Sequence, residues 1–507
     1  MREITELVCA LPWDKLKSSG FWDVVLKPDS KMAQLFDCIH RGLAPTQEAA
    51  ALLLYNSKTA PALAKLQRLK NKLKERLLEV ISLLDFQEPG FTDRQKAHFE
   101  CNKRWSTAMT LLSKKINAVG IEQLELMLRH TQHFEFTELS INALYHLRLH
   151  YGTLLGDPKK YEHYRALYKE YQAIWAMENE AEELYTQLIS RYVGSRAPQA
   201  DVADKAEEYF RQIEPYMARS ASFRLQLCGR LLQMMIFSSR NDYKSVADLC
   251  EQAIGFFRQK PYSSDLPMQV FYYQLVVACV QLRDFGRGQA IIRQNTDIYK
   301  PGSFNWFKVQ ELYFLLALHT QHYDDAFDVC AAVLQQDTLA DQPVQIREMW
   351  KLYEAYMYLL TRIRRVDRLP AKEFRLAKFL NEIPVFSRDK RGMNIPILVL
   401  QLLYDIVDKR YDTAIDRVEA VEKYTSRYIK KDENFRSNCF LKMLVQIPEA
   451  AFHREAASRK AARFETQLKS MPLDLANQAH EIEIIPYEDL WGMILEILPK
   501  QRVSRLA

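Results

Sequence analysis

The sequence predicts an all-α chain of antiparallel helical hairpins stacked side by side, preceded by a smaller helical N-terminal region. Three observations carry this. Glycine fills only 14 of 507 positions, against roughly 7 % in average globular usage, so bulges, phosphate-cradling loops and tight turns are expected to be scarce. Apolar residues recur at three- and four-residue spacing in segment after segment, and nowhere is a period of two sustained. An aromatic-and-small register then repeats along the middle of the chain. At 48 % hydrophobic and 26 % charged residues, the chain is neither disordered nor collagen-like. Its length suits about three domains or one extended array.

The first ninety residues stand outside the repeat. Residues 31 to 41 read as one helix ended by Gly42, and Thr46 is placed to cap a second that runs through Ala49 to Leu54. Tyr55 to Thr59 reads as a turn, and the next helix starts near Pro61, tolerated in a first turn, and runs to about Leu84. Leu63, Leu66, Leu69, Leu73, Leu77 and Val80 form its apolar stripe. Lys65, Arg68, Lys72 and Arg76 share another face, with Lys58, Lys70 and Lys74 nearby and Glu75 the one acid between Lys58 and Arg76. Two readings stand: a helix-turn-helix-like unit meeting nucleic-acid phosphates by charge, or a solvated face on a helix packed through its leucines.

From about residue 91 to 432 an aromatic opens a helix, a small or apolar residue follows at +3, and apolar residues follow at +7 and usually +10. The copies begin at Tyr161, Tyr243, Phe285, Tyr323 and Tyr411, with Val246, Gly288, Ala326 and Ala414 at +3 of the last four. The anchors lie 82, 42, 38 and 88 residues apart, multiples of a unit of about 41. A weaker copy at Ala203, Ala206, Phe210 and Ile213 fills the first gap, and Pro370 obscures the second. The small residue lets two helices approach, and the aromatic plugs the next hairpin. This pattern resembles the second half of a tetratricopeptide repeat over roughly residues 140 to 430, without the Trp and Leu-Gly signature of that family's first helix. The resemblance implies an α-solenoid, each of whose units leaves an apolar face for its neighbour to cover.

Residues 433 to 507 are expected to supply C-terminal helices and a cap. The run from His480 to Ile485, then Pro486, Tyr487, Leu490, Trp491, Ile494, Leu495 and Leu498, reads either as that cap or as a docking peptide for a partner.

A cytoplasmic, non-exported chain is expected. Eight cysteines are scattered without Cys-x-x-Cys, which suits reduced core residues, and the N-terminus has no apolar h-region. The most apolar runs, Val270 to Leu282 and Ile395 to Tyr404, fall short of the roughly 20 residues that span a bilayer. A formal charge of +6 constrains partners weakly.

Motifs for chemistry are missing. There is no nucleotide loop and no Gly-x-Ser-x-Gly, so neither a cofactor nor an enzymatic activity is expected. His146 and His150 have chelating spacing but no third ligand is signalled; His130 with His133 and His319 with His322 read as helix-end pairs. Glu178, Glu180, Glu182 and Glu183 read as a solvated helix face. Arg362, Arg364, Arg365 and Arg368, followed by Lys372, Arg375 and Lys378, either line a concave surface for an acidic peptide or nucleic-acid strand, or form a polar outer face. Tyr272, Tyr273, Tyr353 and Tyr356 are candidate partner anchors that would otherwise be core. The expected function is a non-catalytic scaffold holding a protein or peptide partner on a concave surface. The alternative is a nucleic-acid-binding regulator using the basic N-terminal helix. Nothing in the sequence sets an oligomeric state.

Overall fold

The computed structural model describes residues 1–9, 27, 29–83, 91–192, 199–295, 298–368, 375–383, 394–428, 435–473 and 482–500. All regular structure among them is helical. Leu84, Pro370, Lys372 and the pair at 480–481 lie outside the described residues, as does the side chain of Val80. The chain divides into two compact units, Met1–Phe99 and Glu100–Ala507. The sequence suggested divisions after 90 and 432; the two compact units meet after residue 99.

In the first unit α1 (Arg2–Cys9), α2 (Lys31–His40), α3 (Gln47–Tyr55) and α4 (Ala60–Leu83) pack on one another. Ser30 and Thr46 cap α2 and α3 by accepting from the Ala33 and Ala49 N–H groups at 3.1 and 3.2 Å. Asn56 ends α3 at φ 51°, and Lys31 Nζ donates to the terminal Leu54 carbonyl at 2.5 Å. Leu66, Leu73 and Leu77 are buried against Ile4, Val8, Leu35, Phe36 and Ile39. The capped helix, the turn and the leucine stripe thus lie where the sequence placed them.

The division between units falls within α5 (Asp93–Ser113). Then follow α6 (Asn117–His133), α7 (Thr137–Leu149) with a π-helical turn at His150–Leu154, and α8 (Pro158–Tyr192). Next are α9 (Gln199–Arg219), α10 (Phe223–Ser239), α11 (Tyr243–Arg258), α12 (Asp265–Leu282), α13 (Phe285–Gln294), α14 (Phe304–His319) and α15 (Tyr323–Leu334). The series ends with α16 (Val344–Arg362), α17 (Leu376–Glu382), α18 (Asn394–Val407), α19 (Tyr411–Tyr428), α20 (Phe435–Glu449), α21 (Arg454–Lys469) and α22 (Tyr487–Ile497). Consecutive helices pack together from α6 to α17 and from α18 to α22. Their apolar clusters overlap along the chain, from Ala181–Ile236 through Phe223–Ala278 and Val276–Leu316 to Phe307–Leu498.

One turn geometry recurs. Asn241, Arg283, Gln321, Arg364 and Lys409 each follow a helix at φ 55°, 54°, 62°, 59° and 59°. The next residue's N–H reaches back five residues: Asp242 to Phe237, Asp284 to Cys279, His322 to Ala317, Arg365 to Leu360 and Arg410 to Asp405, at 2.8 to 2.9 Å. These are Schellman-type terminations, which satisfy the last helical carbonyls and usually employ glycine. The expectation that a glycine-poor chain lacks tight turns is therefore overturned. Polar L-residues occupy the left-handed position instead, at about 1 kcal/mol each.

Tyr243, Phe285, Tyr323 and Tyr411 are the first residues of α11, α13, α15 and α19. Their +3 partners Val246, Gly288, Ala326 and Ala414 are buried. A Cβ on Gly288 would strike Leu316 Cδ2 and come within 3.2 Å of Cys279 Cβ, so this position does permit close approach. Phe285 stacks on His322 of the next turn at 3.6 Å, and Tyr411 meets Phe452 at 4.5 Å, the plugging expected of the aromatic. Tyr161 departs from the pattern: it lies inside the 35-residue α8, with Tyr164, Tyr168 and Tyr171 half-buried.

The C-terminal segment is packed into its own chain. Ile484, Ile485, Tyr487, Leu490, Trp491, Ile494 and Leu498 are buried in the cluster that begins at Phe307. Glu483 O lies 3.0 Å from His319 Nε2, and Gln321 Nε2 donates to Asp489 at 2.9 Å. The segment therefore covers helices far earlier in the sequence as well as its neighbour α21, as a cap would.

Candidate functional site

On α4, at 100° per residue, Lys65, Arg68, Lys72 and Arg76 fall on one side of the buried Leu66-Leu73-Leu77 line, and all four are exposed, as is Lys58. Arg76 is paired with Glu79 at 2.7 Å and Lys74 with Glu3 at 2.9 Å. Lys65, Arg68 and Lys72 have no ion pair among the described residues. Leu43, Leu52 and Leu53 in the same unit are exposed.

The second basic cluster is different. Arg362 meets Asp408 at 2.5 Å, Arg365 pairs with Glu496, and Arg368 with Asp328. Its three acids come from the turn after α18, from α22 and from α15, so most of this cluster is neutralised by neighbouring helices. Arg364 is exposed but belongs to the turn itself, at φ 59°. A free anion-binding face at 362–368 is thus replaced by inter-helix ion pairs, a distinction that depends on acids 40 to 131 residues away.

Of the four candidate tyrosines, Tyr272, Tyr353 and Tyr356 are core and Tyr273 is half-buried. Tyr353 is fully buried beside Phe314 and Trp350, and its hydroxyl donates to Glu311 at 3.2 Å. Tyr356 donates to the Pro396 carbonyl at 2.9 Å. Tyr272 is buried with its hydroxyl accepting from Arg258. Neither Tyr353 nor Tyr356 is available to a partner, and Tyr272 presents at most a ring face.

That ring face helps wall a cavity of about 290 Å³ among α12, α13, α14 and the segments that follow α13 and α15. Val276, Ile292, Tyr299, Trp306 and Val309 supply further apolar wall, and Asn295, Gln310 and Gln336 supply carboxamides. No charged residue lines it. The Tyr299 hydroxyl is committed to the Gln269 carbonyl at 2.6 Å. Asn295 Nδ2 donates to the Ile291 carbonyl at 2.7 Å, which leaves its oxygen, whereas Gln310, Gln336 and the Trp306 indole N–H make no side-chain hydrogen bond among the described residues. The sequence contained no signal for this site, because its wall draws on positions from 272 to 336 with no shared motif.

Titratable groups elsewhere are structural in setting. Burial pushes the thiols of Cys101 and Cys228 up to about 11 and those of Cys250 and Cys279 up to about 12, which suppresses the reactive thiolate. Burial lowers His146, which lies edge-on to Trp105 at 5.4 Å. No group of three or more His, Cys, Asp or Glu is placed to hold a metal among the described residues. Glu178, expected on a solvated face, is instead buried, accepting from Thr137 at 2.8 Å and from Ser222. Burial pushes its carboxyl above the usual range against those donors.

No helix among the described residues is long and apolar enough to cross a membrane. Comparison with family models, curated proteins and solved structures finds no match to this chain.

Proposed function

We propose that the helices of the second unit form a tetratricopeptide-like α-solenoid, and that its work is recognition: a non-catalytic scaffold holding a protein or peptide partner on a concave surface. The observation that supports this reading is the single turn geometry repeated at 241, 283, 321, 364 and 409, at steps of 42, 38, 43 and 45 residues. Equivalent turns join successive helices into hairpins, and hairpins whose apolar faces are covered by neighbours make an extended surface without a dedicated active site. The turn at Arg364 supports a unit in the gap where the sequence register was obscured. The closing segment at 482–498 serves as the cap such an array needs. Quantitative affinity capture by the full chain tests this: a saturable macromolecular partner is expected, unaffected by reversing charge at Lys65, Arg68 and Lys72. Loss of that partner on charge reversal would move recognition to the first unit.

A second reading rests on a specific contrast. Lys65, Arg68 and Lys72 are exposed and have no ion pair among the described residues, while the arginines at 362, 365 and 368 are paired off. The capped α3, its left-handed Asn56 and the basic α4 would then meet a duplex through phosphates. Binding of the full chain to duplex DNA should weaken steeply with salt, and each charge removed should lower the log–log slope by about one. No affinity at low salt would end this reading.

A further inference from the structure

We infer that the cavity among α12, α13 and α14 receives one uncharged aromatic side chain of a peptide partner, with the carboxamides of Asn295, Gln310 and Gln336 pairing with the flanking peptide groups. The inference deepens the scaffold reading and rests on it. Its chemistry follows from what lines the site and what those groups already do.

A charge buried here would meet no counter-charge, since no lining residue is ionised; an unpaired charge in an apolar setting is costly. The occupant is therefore neutral. Tyr272 and Tyr299 have their hydroxyls committed to Arg258 and to the Gln269 carbonyl, so they offer ring faces rather than polar contacts. With Trp306 they make a surface suited to offset or edge-on packing of another ring. About 290 Å³ is close to the lower bound of roughly 300 Å³ for small-ligand sites. It is too small for a folded element and ample for one large side chain.

The amides decide what surrounds that ring. Among the described residues, Gln310 and Gln336 each present an unused N–H donor and an unused carbonyl acceptor, and Asn295 an unused carbonyl. They come from separate elements, α14, the segment after α15 and the end of α13. A main-chain peptide group, with one donor and one acceptor, matches a carboxamide in both roles. A bare hydrocarbon would leave these groups unpaired when it excluded water, which lowers its affinity relative to an amide-flanked ring.

The test uses the full chain and capped single residues. N-acetyl-phenylalaninamide and N-acetyl-tryptophanamide, followed by ligand-observed NMR, should bind with millimolar or tighter affinity, the range expected for ligands of this size. N-acetyl-lysinamide and the amide of N-acetyl-glutamate should bind at least about tenfold more weakly. Gln310→Leu combined with Gln336→Leu should weaken the aromatic probes by roughly fivefold or more, and Ile291→Trp, which fills the cavity, should abolish binding. Both variants are checked for an unchanged thermal transition. Because the amides are only half-buried, the Gln variants keep the test open even if Ile291→Trp misfolds. The inference is overturned if the charged probes bind as well as the aromatic ones, if the folded Gln variants bind like the wild type, or if no neutral probe binds. Tighter binding of adenosine than of either aromatic amide would also overturn it, by assigning the cavity to a planar base. Capture of a macromolecular partner that persists while the probes fail removes this inference and leaves the scaffold. Probe binding with no partner captured removes the scaffold reading and leaves the cavity.

Discussion

Replacing Arg436 with methionine would remove the most heavily bonded buried cation among the described residues. The Arg436 and Glu483 side chains are both 0 % exposed. Arg436 Nε and Nη2 donate to the two Glu483 oxygens at 2.9 and 2.6 Å, and Nη2 also donates to Glu488 at 2.6 Å. Nη1 donates to the Leu468 and Met471 carbonyls at 3.3 and 2.6 Å, tying the end of α21 to the start of α20. Burial alone would pull the guanidinium pKa down; the bonds to Glu483 and Glu488 outweigh that and hold it above its ordinary value. Methionine keeps the stem volume but removes the guanidinium from which both Glu483 oxygens accept, leaving that buried carboxylate without its counter-charge. Breaking one side of a buried pair costs about 3–5 kcal/mol, while removing both sides together is often neutral. Urea denaturation should show a loss of that size for Arg436→Met, and Arg436→Met/Glu483→Leu should recover most of it. Hydrogen exchange should place the opening in 482–498. A loss under about 1 kcal/mol, or a double variant no better than the single one, would refute the view that this pair locks the cap.

Three other outcomes follow from the same geometry. Because burial raises the Glu178 carboxyl from its ordinary 4.5, the folded state binds this proton more tightly than the unfolded one. The group's contribution is therefore most favourable below the unfolded value and is lost as pH rises through the folded one. Glu178→Gln should gain on the wild type in denaturation experiments from about pH 4 to about pH 8; a pH-independent difference would contradict the assignment. Lys409→Gly, which relieves an exposed L-residue at φ 59°, should stabilise by about 0.5–1 kcal/mol in the same assay, and destabilisation would contradict the turn geometry. Ala326→Leu, at a fully buried position in the small-residue register, should cost about 1–3 kcal/mol through overpacking, and a neutral result would mean that the close approach is not needed there.

What could be read from the sequence was local. The Thr46 cap, the 55–59 turn and the helix starts at Tyr243, Phe285, Tyr323 and Tyr411 depend on side chains within a few residues of one another, and the structure puts them where the pattern did. The place of a polar turn just before Tyr243, Phe285, Tyr323 and Tyr411 was legible too, but its left-handed geometry was hidden, because that position is filled by Asn, Arg, Gln and Lys rather than by the glycine that would announce it. Tyr161 had the right register in the wrong context, a single helix of 35 residues. Contacts at long range left no trace: Glu483 lies 47 residues from Arg436 and 164 from His319. The candidate anchors fared likewise. Periodicity could not distinguish a tyrosine buried between hairpins, such as Tyr353, from one exposed along them. Nor could the density of arginine at 362–368 reveal that Asp328, Asp408 and Glu496 fold against it.

The most direct measurement of recognition by the second unit is quantitative affinity capture from a native lysate by three full-length forms. These are the wild type, the triple variant Lys65→Glu/Arg68→Glu/Lys72→Glu, and the double variant Gln310→Leu/Gln336→Leu. One saturable protein partner is expected, held equally by the wild type and the triple variant and weakened by the double variant. A partner lost with the lysine and arginine charges and indifferent to the amides would contradict it.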